Sequence, residues 1–220
     1  MAQGTCRKYH ERMTREGKGK IGLYFGTFNP VHLGHLVIAN HMAHYTDVEE
    51  VWLVVTPYNP QKKPRELLGQ AHRLQMVNLA VSENEKLKGS DVEFNLPQPN
   101  FTAATMRHLR SKYPEVEFSI IIGEDNFVRL HTWQDYWELV ENHHILVYPR
   151  RTSDAQSVAS TVASAKGIVP RTHANIHWCD APMISISSTY LRDAIKNTKD
   201  IRYLLHDKVM NYISNNHLYE

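Results

Sequence analysis

The chain has 220 residues, 42% of them hydrophobic and 22% charged, and a formal net charge of +2. That balance suits an ordinary globular protein with one substantial core and argues against a protein whose main task is to coat nucleic acid, though it leaves room for a local basic pocket. No apolar run approaches 18 residues, and Cys6 and Cys179 form neither a CxxC nor a Cys/His metal spacing, which argues against a membrane span, a disulfide framework and a zinc site and fits a reducing cytoplasm. Residues 1–19 are polar and basic, carry Glu11 and Glu16, and lack the apolar stretch of a signal peptide. They read as a disordered leader, with Met13 as an alternative start, ahead of one domain spanning 20–220.

In chain order, Ile21–Phe25 reads as a buried strand and His35–His44 as a helix. Glu50–Thr56 is a second strand, stopped by Pro57, and Arg65–Val81 has helical spacing. Val92–Leu96 suggests a strand and Thr102–Tyr113 a helix ended by Pro114. Phe118–Ile122 has the strongest strand pattern and leads into a Trp-rich helical stretch, in which Trp137 is expected in the core. His144–Tyr148 is another strand, 153–166 a small polar helix, and Asn175–Trp178 a last strand, followed by helices from Ser188 and from Leu204. Apolar strands alternating with helices imply an α/β domain with a Rossmann-like, doubly wound parallel sheet and a small C-terminal helical part. Ligands of such sheets bind beyond the carboxyl ends of the strands, near the point where strand order reverses.

Two constellations sit where that rule asks for them. Gly26-Thr-Phe-Asn-Pro-Val-His32-Leu-Gly-His35 follows the first strand and enters a helix. Gly26 lets backbone approach a phosphate, the first helical turn favours an anion, and His32 and His35 are spaced to aim imidazoles at one spot. Ile186-Ser-Ser-Thr-Tyr-Leu-Arg192 follows the last strand and opens a helix. Its hydroxyls can cap that helix or bind an anion, and Arg192 falls on the same face as Ser188 and Thr189 with a forked cationic donor. Between them, Gly123 and Asp125 end the strongest strand, a pattern that suits close nucleotide approach and a ribose hydroxyl, or a plain helix cap. Trp133 is either a core residue or a stacking platform.

These motifs resemble the nucleotidyltransferase superfamily, with its (H/T)xGH and ISSTxxR signatures, and specifically its bacterial nicotinate mononucleotide adenylyltransferases; the resemblance spans about residues 20–215. It implies that His32 and His35 are catalytic and face the ATP phosphates, and that Gly26, Thr27 and Phe28 line the shared nucleotide groove. Gly123 and Asp125 would contact the adenosine side, and Ser188, Thr189 and Arg192 would grip the β- and γ-phosphates. Trp133 would stack on the pyridine ring, with Thr102, in Asn100-Phe-Thr102, near the mononucleotide. Lys63 keeps the terminal cation of a family loop in which Gln61 and Lys62 depart from the usual Pro and His, while Arg73, at a position usually basic, has no assigned role. The implied partners are ATP, with Mg²⁺ held mostly by substrate and water, and a pyridine mononucleotide; assembly as a homo-oligomer is left open. Rival readings are nicotinamide mononucleotide in place of nicotinate mononucleotide as the acceptor, pantetheine-phosphate or cytidylyl transfer within the superfamily, and a non-catalytic NAD- or ATP-sensing module.

Overall fold

A computed structural model describes residues 19–58, 67–150 and 169–220. Six strands form one all-parallel sheet: β1 (Gly19–Gly26), β2 (Glu50–Val55), β3 (Leu87–Ser90), β4 (Val116–Gly123), β5 (Ile145–Tyr148) and β6 (Ile176–Trp178), in the order β3-β2-β1-β4-β5-β6. The chain winds outward from β1 to β3, then jumps across β1 to β4 and winds the other way. Strand order therefore reverses between β1 and β4, and a crevice opens above their carboxyl ends at Gly26 and Gly123.

Side-chain alternation explains why both faces of the sheet are covered. Along β1, Ile21 and Leu23 join one apolar cluster while Tyr24 joins the other. Along β4, Phe118, Ile120 and Ile122 face the first cluster and Ile121 the second. Strands buried on both faces read as continuous apolar runs, which is why β1, β2, β4 and β5 were legible. One face is covered by α3 (Thr102–Lys112), through Ala103, Met106 and Leu109, and by α5 (Tyr136–Asn142), through Leu139 and Val140. The other is covered by α1 (Leu33–Tyr45), α2 (Gln70–Val81), α6 (Ser188–Lys196) and α7 (Asp207–Asn215). Each of these presents a helical stripe: Ile38, Ala39, Met42 and Ala43 on α1, and Val209 with Ile213 on α7. The last two helices form the expected C-terminal helical part.

Several expectations change. The predicted strand at Val92–Leu96 is instead a 3-10 turn, Val92–Asn95, and the third strand is Leu87–Ser90 just before it. The alternation of Val92, Phe94 and Leu96 imitates a strand, whereas β3 is an edge strand paired only with β2, so it needs little apolar content. The Trp-rich stretch is broken into α4 (Glu124–Val128), a 3-10 turn at Leu130–Thr132, and α5. Trp137, expected in the core, is 42% exposed, because the buried stripe of the short α5 is Leu139 and Val140. α1 begins at Leu33 rather than His35, α2 at Gln70 rather than Arg65, and α7 at Asp207 rather than Leu204. The leader, the helix expected at 153–166, and Lys63 with its loop lie outside the described residues. Among the described residues no helix is long and apolar enough to cross a membrane.

Candidate active site

The segment after β1 is held in an unusual shape. Phe28 has a left-handed backbone (φ 44°), a conformation that costs a non-glycine residue on the order of 1 kcal/mol or more. Its ring is only 1% exposed and lies against Gly26, where an added Cβ would come within 2.8 Å of Phe28 Cζ. Gly26 is thus required here by the Phe28 ring packed over it, a reason the sequence did not reveal. The loop is braced from the side by Arg73, on the buried stripe of α2 and 1% exposed. Its guanidinium donates to the carbonyls of Thr27 (2.7 Å), Thr56 (2.8 Å), Pro57 (3.0 Å) and Leu68 (2.8 Å), and so ties the exits of β1 and β2 together. Burial pushes its pKa down.

This brace delivers the two histidines. His32 is the N-cap residue of α1, and its backbone N–H donates to His35 Nδ1 at 3.3 Å. The two rings stack, with centroids 3.7 Å apart and planes 26° apart. An Nδ1 that accepts leaves the proton of a neutral His35 ring on Nε2, which is then the donor. His32 is 5% exposed, and burial first, then the Arg150 charge, lowers its pKa from 6.5 to about 4. It is therefore a neutral imidazole at physiological pH in the absence of substrate, and its buried Nδ1 has no hydrogen-bond partner.

The second constellation closes onto the same loop. Ser187, not Ser188, caps α6: its Oγ accepts the Tyr190 N–H at 3.2 Å. Ser188 Oγ donates to the Pro30 carbonyl (2.9 Å), and Arg192 Nη1 donates to the Asn29 carbonyl (3.0 Å). Arg192 Nη2 reaches Thr189 Oγ1 at 3.4 Å, which puts these residues on one face as the spacing required. Residues 187–192 and 26–35, more than 150 positions apart in the chain, thus share one cleft of about 600 Å³.

The end of β4 forms the facing wall. Gly123 is the N-cap of α4 and Asp125 lies in its first turn without a capping bond, so the plain-cap reading of Asp125 does not hold. Asp125 Oδ1 is buried with no partner, and an added Cβ on Gly123 would sit 2.5 Å from it. Asp125 Oδ2 faces Arg150 Nη1 at 3.5 Å. The sequence reading missed Arg150, together with the buried Tyr24–Tyr148 hydroxyl pair (3.0 Å) beneath it. Both phenols are pushed upward, chiefly by burial. A signal existed, since Tyr148-Pro-Arg150 lies at the carboxyl end of β5, where ligands of such a sheet are found.

Beside the main cleft lies a smaller cavity of about 180 Å³ that shares Gly26, Thr27, Asn126 and Trp133 with it. Trp133 is partly buried: it packs against the α3–α5 core cluster and lines both cavities. Thr102, the first residue of α3, lines the smaller cavity. So do Asn100, of the same short motif, and Glu93, which the sequence did not single out; Asn100 Oδ1 and Glu93 Oε2 are buried without a hydrogen-bond partner among the described residues. Burial raises the Glu93 carboxyl above its usual range, although Thr105 Oγ1 donates to Oε1 at 2.8 Å. Among the described residues no group of three or more His, Cys, Asp and Glu side chains is placed to hold a metal ion.

With this geometry in place, comparison with known proteins is informative. The family model described as cytidylyltransferase-like matches residues 23–194. A Flavobacterium johnsoniae protein named "Probable nicotinate-nucleotide adenylyltransferase" is 50% identical over 201 residues, which is 91% of this chain and 99% of that protein. A Flavobacterium psychrophilum protein of the same name matches equally, at 50% identity over 201 residues, again 91% and 99% of the two chains. Among solved structures, Plasmodium falciparum nicotinic acid mononucleotide adenylyltransferase complexed with NaAD superposes with a TM-score of 0.71 over 91% of this chain and 97% of that one; its identity is 18%, so it supports the fold alone. The chain belongs to the cytidylyltransferase-like nucleotidyltransferases and, within them, to the nicotinate-nucleotide adenylyltransferase family.

Proposed function

We propose that this protein transfers the adenylyl group of ATP to the phosphate of nicotinate mononucleotide, giving deamido-NAD and pyrophosphate, in the reducing cytoplasm. The observation that carries this reading is the meeting of residues 26–35 and 187–192 around one cleft at the reversal point of the sheet. A phosphate oxygen of the mononucleotide attacks the α-phosphorus of ATP in line, and the bond from that phosphorus to the bridging oxygen of the pyrophosphate breaks. A phosphate monoester, with a second pKa of about 6, is already mostly ionised at neutral pH, so the nucleophile needs no general base. The protein's contribution is positioning and charge stabilisation. His35 and His32, at the start of α1, meet the charge that builds on the α-phosphate. Thr189, Arg192 and the first turn of α6 hold the departing pyrophosphate, with Ser188 beside them. Mg²⁺ enters bound to ATP as part of the substrate.

Gly123 and Asp125 offer a wall for the adenosine, Gly26, Thr27 and Phe28 shape the groove between the two nucleotides, and Trp133 with Thr102 frames the smaller cavity for the pyridine ring. A flat aromatic beside a cationic ring gains cation–π attraction as well as buried area. Lys63 is assigned to a substrate phosphate on the family motif alone. The test is pyrophosphate release from MgATP with nicotinate mononucleotide and nicotinamide mononucleotide in parallel. Release with the acid and little with the amide is expected. Release only with the amide would change the ring while keeping the mechanism, and silence with both from folded protein that binds ATP would favour a sensing module.

A further inference from the structure

The β1–α1 loop is held at one more point, from the end of the chain. Asn29 lies between Phe28, with its left-handed backbone, and Pro30, whose carbonyl receives Ser188. It is 2% exposed, and its side-chain Oδ1 accepts two hydrogen bonds, from Tyr219 Oη at 2.9 Å and from the Leu68 N–H at 3.3 Å. Its main-chain carbonyl accepts from Arg192 Nη1. One residue therefore joins the loop to α6, to the segment that enters α2, and to the last turn of the chain.

The route by which Tyr219 arrives is specific. After α7, His217 (φ 51°) and Tyr219 (φ 69°) both have left-handed backbones, a conformation unfavourable for any residue with a Cβ. The Leu218 N–H donates back to the Ile213 carbonyl at 3.1 Å, and its side chain is 7% exposed, so the tail is folded rather than frayed. Two left-handed residues on either side of Leu218, leading to a part-buried hydroxyl bonded to a loop residue, point to a placed group. Arg73 and Arg192 lie near the phenol and favour its ionisation, but burial outweighs them and pushes the pKa up, so Tyr219 stays a neutral donor.

We propose that Tyr219 is a positioning residue for adenylyl transfer: its hydroxyl fixes Asn29, and through Asn29 the backbone that places Arg192, Phe28 and the two histidines. This rests on the adenylyl-transfer reading above. A purely structural role predicts something different, and the molecule supplies a matched comparison. Tyr212, on α7, bonds His72 Nδ1 on α2 at 2.9 Å, a tyrosine hydroxyl that likewise ties the C-terminal part to the rest of the fold but meets α2 instead of the β1–α1 loop.

The experiment compares wild type, Tyr219→Phe and Tyr212→Phe in pyrophosphate release from MgATP and nicotinate mononucleotide, with thermal melting of each. Phenylalanine keeps the ring and removes only the hydroxyl. Tyr219→Phe is expected to lower kcat about 5- to 10-fold, the scale of one lost hydrogen bond acting on a transition state, with KM for the mononucleotide within about twofold. Tyr212→Phe is expected to lower the melting temperature at least as much and leave kcat within about twofold. Turnover of Tyr219→Phe within about twofold of wild type, or an equal loss of turnover in Tyr212→Phe, overturns the inference. A wild type that is folded yet silent with every mononucleotide overturns the adenylyl-transfer reading itself, and this inference with it.

Discussion

Arg73 offers the sharpest test of how the site is built, because it touches the cleft only through its own hydrogen bonds. The perturbation is Arg73→Met, which keeps most of the length and removes the guanidinium. Four carbonyls, the buried ones of Thr27 and Thr56 and the partly buried ones of Leu68 and Pro57, then lose a charged donor. Hydrogen bonds to a charged group are worth about 1.5–3 kcal/mol each, giving a gross loss of roughly 6–12 kcal/mol. Against this stands the several kcal/mol already spent in burying an ion that has no carboxylate bonded to it among the described residues, a cost the methionine removes. The net is about 3–5 kcal/mol, or on the order of 10 °C in melting temperature for a chain of this size. Because the Thr27 carbonyl sits one residue before Phe28, the loop should also drift, and kcat should fall more than tenfold in the molecules that remain folded. The assay is thermal melting alongside pyrophosphate release, measured well below the variant's melting temperature. Arg73→Lys, whose three N–H donors radiate from one nitrogen and cannot span four carbonyls, should fall between the two. A melting temperature within about 2 °C of wild type together with unchanged turnover would refute the view that this arginine is the brace of the loop.

Other consequences can be measured in parallel. His35→Ala should lower turnover about 10²- to 10³-fold, as loss of one preorganised donor does, while circular dichroism and melting stay near wild type. Gly26→Ala would place a Cβ 2.8 Å from a buried Phe28 ring, so it should cost about 1–3 kcal/mol in denaturant titration and reduce ATP affinity as the loop shifts. The folded-state pKa of His32 is lowered to about 4, so its contribution to stability is present above pH 6.5 and is lost as pH falls towards 4. At 1.36 kcal/mol per unit this amounts to about 3 kcal/mol, and His32→Asn should remove that portion of the acid sensitivity in chemical denaturation at stepped pH. Glu93 has the opposite sign: its carboxyl is raised, so its contribution is present below about pH 4.5 and is lost as pH rises through the folded value. Glu93→Gln, which stays neutral and can still accept from Thr105, should be more stable than wild type at pH 7 and should have no such advantage at pH 4.

What could be read from the sequence divides along physical lines. Continuous apolar runs such as Phe118–Ile122 have no place but a sheet covered on both faces, and the fold followed from them. The edge strand β3 escaped because Leu87-Lys-Gly-Ser90 buries little, while Val92 and Phe94 alternate without being a strand. Within the cleft, the residues that sequence singled out and the structure brings together are those of the two motifs: His32, His35, Ser188, Thr189 and Arg192. The supports were not legible, since they act across long chain separations. Arg73 reaches Thr27 from 46 positions away and Tyr219 reaches Asn29 from 190. Nothing in the local sequence marks an arginine on an apolar stripe as a brace, or a tyrosine near the end of the chain as a loop contact. Arg150 stands between the two cases, placed by the strand-end rule but carried by no motif.

The hydrogen bonds that residues 187–192 make within the protein bear on how the proposed phosphate grip would act. Ser188 has a single hydroxyl proton, and that proton is already given to the Pro30 carbonyl. To donate to a phosphate it would have to abandon the loop that the rest of the site holds in place. The main-chain N–H groups of Ser188 and Thr189 face no such choice, because the first turn of a helix has no acceptor of its own. The guanidinium of Arg192 has five N–H donors, and while bonded to Asn29 and to Thr189 it lines the same cleft. The division of labour follows from this count. The Ser188 hydroxyl is a latch between α6 and the β1–α1 loop, and on the proposed adenylyl transfer the anion would be met by the start of α6 and by Arg192, which also holds the loop. The proposed catalytic contacts and the observed structural ties thus fall on the same short segment, and a motif that reads as a phosphate binder is equally the clasp that assembles the cleft.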